Sequence, residues 1–188
     1  MLRDPPHSSS GSHSNLIAGR SYRVSIFEIF ARAGFVGIGG TIVLDLYAWL
    51  LQRVRGMPAT NWAMVGRWIG HMPRGRFVQA DLANARRIPG ELAIGWTVHY
   101  AIGVGYGLLL VAIVGAGWLQ APALAAPLAL AIALLVLPYF VMMPGMGMGI
   151  AASRTSKPNV ARLKSAASHA VFGLGMYLAA AFMAIVAA

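Results

Sequence analysis

Long apolar runs alternate with polar, basic stretches along this chain. Ala33 to Leu51 is nineteen residues with a single charge, Asp45. At ~1.5 Å of rise per residue such a helix reaches ~28 Å, about one hydrocarbon core. Ala93 to about Val114, Pro122 to Met143 and Ala166 to Ala188 are comparable runs. The pattern predicts an all-α, polytopic membrane protein with four transmembrane helices over about 33–51, 93–114, 122–143 and 166–188. The first helix is expected to begin earlier, near Val24, because Glu28 and Arg32 stand four apart and can pair along a helix surface. Pro122 suits a first helical turn, Pro138 should kink the third span by freeing a carbonyl one turn earlier, and Trp118 reads as an interfacial aromatic.

The polar stretches divide the rest. Met1 to Arg20 contains Pro5-Pro6 and a Ser/Gly run without an apolar segment, so residues 1–23 are expected to be a disordered tail rather than a signal peptide, ahead of a membrane domain over 24–188. In the loop 52–92, Trp62, Val65, Trp68, Ile69 and Met72 recur at three-to-four spacing behind Asn61, a good cap. A short amphipathic helix over about 61–72, lying on the membrane surface, is the expectation.

Composition fixes the solvent. With 58% hydrophobic and 11% charged residues and a mean hydropathy of +0.66, the chain has too little polar surface to clothe a soluble globule. A net charge of +10 would suggest a nucleic-acid partner in a soluble protein, but here the basic residues lie between apolar runs, and no nucleic acid is expected. Lys and Arg number four before the first span, seven from Gln52 to Gly90, none between the second and third spans, and four from Pro144 to Ser165. The positive-inside rule therefore puts both long loops in the cytoplasm and both termini in the periplasm of an inner membrane. No cysteine is present, so disulfides, thiolate nucleophiles and cysteine metal sites are excluded together.

The second and fourth spans share a motif, His99-x-x-x-Gly103-x-Gly105 and His169-x-x-x-Gly173-x-Gly175. Two helical hairpins related by a pseudo-twofold axis along the membrane normal would explain it. At four-residue spacing, Glu91, Gly95, His99, Gly103 and Gly107 form one stripe, Ser165, His169, Gly173 and Tyr177 a second, and Gly34, Gly37, Thr41 and Asp45 a third. Small residues let helix backbones approach, so these are the predicted packing faces. Asp45 and His99 lie ~9 Å inside the same boundary and His169 ~6 Å. Ionisable groups at that depth cost ~2.5–3.5 kcal/mol each unless paired, which predicts a mutual Asp45, His99, His169 cluster.

That cluster has two main readings, a structural knot or a site for proton- or ion-coupled transport. An alternative takes His99 and His169 as ligands of a metal or of haem b. Met142, Met143, Met146 and Met148 invite copper, although methionine more often fills gaps. No cofactor is the leading expectation. His71, Arg74 and Arg76 in one loop and Arg154 and Lys157 in the other suit anions, with the headgroups of anionic membrane lipids at the cytoplasmic face as the expected partner. A second copy or another membrane protein is a further candidate partner. No GxSxG, HExxH or GxxxxGK[ST] motif occurs, so a catalytic role has no residues to recommend it.

Gly40-Thr41 with Asp45, the run Gly66 to Phe77, Gly95-Trp96 with His99-Tyr100, Met143 to Arg154, and His169 with Phe172-Gly173 together carry a family likeness. On these residues the chain resembles, from about 34 to 180, a family of small bacterial inner-membrane proteins of unassigned function. The resemblance implies a four-helix membrane protein and brings no activity, cofactor or catalytic residue; the segment before Val24 lies outside it.

Overall fold

The computed structural model describes residues 25–187; the tail expected over residues 1–23 lies outside the described residues. The helices are α1 (Ile26–Arg55), α2 (Trp62–His71), α3 (Glu91–Val114), α4 (Ala125–Ala133), α5 (Met143–Gly145) and α6 (Pro158–Val186), and no strand occurs among the described residues. Four helical stretches are long and apolar enough to cross a membrane: Ile26–Arg55, Glu91–Val114, Ala125–Gly145 and Pro158–Val186. The protein is an all-α, four-span membrane protein.

Helix ends extend beyond the apolar runs where capping chemistry permits. The Ser25 hydroxyl accepts from the Glu28 N–H, Glu28 pairs with Arg32, and α1 continues to a left-handed Gly56 whose N–H returns to the Gln52 carbonyl. Pro158 at the first turn lets α6 begin well before Ala166. In the third span the α-helix ends after Ala133, and Pro138 opens a π-helical turn over Pro138–Met142 before α5. The Leu134 carbonyl, which Pro138 cannot serve, accepts from Leu137 instead.

Small residues set the packing. A Cβ on Gly37 would overlap the Gly103 carbonyl, and one on Gly107 the Ala33 carbonyl, so α1 and α3 touch backbone to backbone. On its other side α1 meets α6, where Gly40 faces Phe172 and Met176 and Gly175 faces Gly40 and Val43. Gly173 seats α6 on the Pro127 carbonyl and the Ala131 methyl of α4. Ala33, Val36, Leu110, Phe172 and Met176 form the core between these contacts, and Trp118 joins it. Trp118, just past the end of α3, is packed into this core, and its indole N–H donates to the Ala123 carbonyl at 3.1 Å.

The two motif glycines Gly103 and Gly173 do matching work, each seating its helix on the preceding span. The match stops there. Gly105 faces open space where Gly175 packs on α1, and α1 lies along α6 far more extensively than α3 touches α4.

Helix α2 is capped by Asn61, whose side chain accepts from the Met64 N–H at 3.2 Å. Its apolar face, expected to lie in lipid, is turned into the protein. Gly66 meets the Glu91 carbonyl, Gly95 meets the Trp62 carbonyl, and Gly145 lies on the Trp68 ring. Paired glycines allow a backbone contact between α2 and α3 that a bilayer surface cannot match.

Candidate functional site: a carboxylate and imidazole at a membrane cavity

The Gly37–Gly103 contact continues through Thr41, and beyond it α1 and α3 bring Asp45, two turns from Gly37, beside His99, one turn from Gly103. Thr41 satisfies its hydroxyl on the Gly37 carbonyl at 2.9 Å, so it fits the tight crossing without an unpaired group. One turn on, His99 Nε2 lies 2.9 Å from Asp45 Oδ1, and the Tyr100 hydroxyl donates to Asp45 Oδ2 at 3.0 Å. Both carboxylate oxygens are thus engaged. The side chain of His99 is 8% exposed and that of Asp45 24% exposed.

Helix α2 supplies the far wall. Trp62 stacks on His99 with ring centroids 3.9 Å apart, and Trp96 meets the imidazole edge-on at 5.7 Å. What holds α2 there is a buried ion pair. Arg67 Nε and Nη2 donate to the two Glu91 carboxylate oxygens, both at 2.9 Å. Arg67 also donates to the Leu82 and Ala83 carbonyls, and Glu91 accepts from the Ile88 N–H. The Glu91 hydrogen bonds raise the Arg67 pKa above its ordinary value even though burial opposes them. One guanidinium thus ties Leu82, Ala83 and Glu91 to α2.

Asp45, His99 and Tyr100 face a cavity of about 1200 Å³ in the loop-side half of the bundle. Its walls come from α1, α2, α3, α6 and the proline-broken third span, and they are chiefly aliphatic and aromatic. The remaining polar groups on it include Ser168, His169 and Lys164, whose ammonium donates to the Pro58 carbonyl.

The expected three-residue cluster is a pair plus a separate histidine. His169 Nδ1 donates to the Ser165 carbonyl of its own helix at 3.0 Å, and no hydrogen bond joins it to Asp45 or His99. Helix α1 packs on α3 with one face and on α6 with another, so His99 and His169, though near in depth, lie on different walls of one cavity. Two ring nitrogens, His99 Nδ1 and His169 Nε2, carry no hydrogen bond to the described residues, and they are the ones a haem or metal would need. Among the described residues, no group of three or more His, Asp or Glu is placed to hold a metal ion.

The loop residues separate too. His71 is buried, its Nε2 2.9 Å from the Arg86 carbonyl, so it braces the loop from within. Arg74, Arg76, Arg154 and Lys157 are exposed. Asn84 hydrogen bonds hold the Asp81 carboxyl below the usual carboxylate range.

A family model described as a protein of unknown function, DUF2938, matches residues 35–183. The chain belongs to the DUF2938 family. The match contains every residue of the site, from Asp45 to His169. No curated protein and no solved structure matches this DUF2938 chain.

Proposed function

We propose that this DUF2938 protein takes an amphipathic small molecule from the bilayer into the cavity beside α1 and holds its polar head at Asp45, His99 and Tyr100. The observation that carries this is the half-open carboxylate–imidazole pair on the wall of an apolar cavity of about 1200 Å³. A few convergent polar groups in a large apolar cavity are what ligand sites are made of. Ile42, Leu46 and Val141, which line the cavity, are exposed apolar side chains on membrane spans, so an occupant can arrive sideways from lipid. The carboxylate and imidazole can also exchange a proton, which fits uptake or passage linked to proton movement. The arginine-rich loops favour an inner-membrane orientation with these loops in the cytoplasm.

The test uses Gly105, which lines the cavity and whose Cβ would meet nothing within 4 Å. Gly105→Trp should place an indole in the cavity, starting from a Cβ that meets no neighbour, and so reduce the room for an occupant. Protein extracted with its surrounding lipid and examined by native mass spectrometry should carry a bound apolar species that the variant lacks. Equal lipid and small-molecule content in parent and variant, with both folded, would reject the proposal. A tetrapyrrole mass with a Soret band would replace the occupant by haem held at His99 and His169.

A further inference from the structure

A second site lies outside the cavity, where the two basic loops meet the end of the third span. The Gln79 N–H donates to the Gly145 carbonyl of α5 at 2.8 Å, and the Trp68 indole donates to the Phe77 carbonyl at 2.8 Å. Gly147, at φ 80°, lies against the carbonyls of Gln79 and Ala80. These ties fix residues 77–79 beside the last turn of a membrane span, which is the level of lipid headgroups.

Held at that level, Phe77 and Val78 nevertheless turn outward, 61% and 67% exposed, and Ile150 across from them is 59% exposed. Val78, Pro144, Gly149, Ile150, Ser153 and Arg154 line one groove of about 310 Å³. Arg154 lines it, and the two stretches of chain that supply its lining carry charge of one sign. Residues 72–80 carry Arg74 and Arg76, residues 144–157 carry Arg154 and Lys157, and neither stretch has an acid. Among the described residues none of these four cations has an acidic partner, and the nearest acid in sequence, Asp81, is occupied by Asn84.

Exposed apolar side chains at headgroup depth with unpaired guanidinium groups beside them match one chemistry, an acyl chain joined to an anionic phosphate. We infer that this groove binds an anionic phospholipid of the loop-side leaflet, with its chain along Val78 and Ile150 and its phosphate between Arg154, Ser153 and Arg76. Phosphatidylcholine offers the same chain and phosphate without net negative charge, and so binds less well.

Short-chain phosphatidylglycerol and phosphatidylcholine, titrated separately onto the full-length protein in neutral detergent and counted by native mass spectrometry, test this. Phosphatidylglycerol should bind more tightly. At about fivefold per charge, Arg76→Gln with Arg154→Gln should weaken it about 25-fold and weaken phosphatidylcholine, which has no net charge to lose, by clearly less. Both side chains are exposed, so the fold should persist; Val78→Ser, which keeps the charges, should weaken both lipids. Equal binding of the two lipids, or unchanged phosphatidylglycerol binding in the double variant, would overturn the inference. Displacement of phosphatidylglycerol by inorganic phosphate alone would overturn it as well, by assigning the groove to a soluble anion.

Discussion

Gly37 and Gly103 meet backbone to backbone across α1 and α3, and this contact sets Asp45 and His99 within a hydrogen bond of each other. A methyl group on Gly103 would collide with the Thr41 hydroxyl, and one on Gly37 with the Gly103 carbonyl. Gly103→Ala is therefore expected to destabilise by about 1–3 kcal/mol, the usual range for forcing atoms into a closed contact. Gly105, two residues on and facing the cavity, is the control. Gly105→Ala should leave the unfolding midpoint unchanged or raise it, since alanine favours the helix by up to ~1 kcal/mol. Thermal unfolding in detergent reads both; equal effects would mean that the crossing is looser than the structure has it.

The Arg67–Glu91 pair yields an ordering. Removing one partner leaves a buried charge without its counter-ion, whereas removing both removes the conflict. Arg67→Met and Glu91→Leu should each lower the unfolding midpoint more than the double variant does. Recovery in the double variant should stay incomplete, because Arg67 also serves the Leu82 and Ala83 carbonyls. A double variant less stable than either single one would show that the pair contributes through packing alone. Limited proteolysis within residues 82–90 should increase in every variant that lacks Arg67, because the contact of His71 with the Arg86 carbonyl is then the remaining hydrogen bond from α2 to this segment among the described residues.

Sidedness follows from the basic residues. Reporter fusions within the Arg74–Arg76 loop should be active only as cytoplasmic reporters, and fusions after Val186 only as periplasmic ones. The reverse pattern would invert the orientation, and with it the leaflet assigned to the groove beside Arg154.

How far the residues announced this arrangement depended on what fixes each feature. The spans follow from hydropathy alone, since lipid tolerates only helices with their backbone groups satisfied within. The stripe Gly95, His99, Gly103 and Gly107 is the buried face of α3, because in a lipid-facing helix the closest approach falls to the smallest side chains. Depth along the membrane normal could be counted, and it placed Asp45 level with His99. It could not place His169, because depth says nothing of direction around a bundle in which α1 stands between α3 and α6. Trp62, Trp96 and Tyr100 were not read as site residues. Trp62 reaches His99 only because Gly66 and Gly95 let α2 lie on α3, and that pair of glycines was the one available signal. Arg67 stands in the sequence only as one basic residue of the loop, and its pairing with Glu91, 24 residues on, needs the fold to be seen.

Asp45 separates a structural role from a functional one. Asparagine has the size of aspartate and keeps a carbonyl oxygen, so in Asp45→Asn that oxygen can still accept from either Tyr100 or His99. It cannot ionise. His99→Ala removes one hydrogen bond to Asp45 and the stack with Trp62, leaving a carboxylate in the membrane with Tyr100 alone. That change should cost about 1–3 kcal/mol in stability. If the pair only holds α1 to α3, Asp45→Asn should behave almost as the parent does in every assay. If the pair receives a headgroup and a proton, Asp45→Asn should keep the parent's unfolding midpoint within a few degrees and lose the bound species. In liposomes holding a pH-sensitive dye it should also abolish any ligand-dependent proton movement that the parent supports. The expected result is the second, with stability and ligand retention parting company in Asp45→Asn and falling together in His99→Ala. Retention of the bound species by folded Asp45→Asn would sink the headgroup role and leave the pair as a tie between two helices.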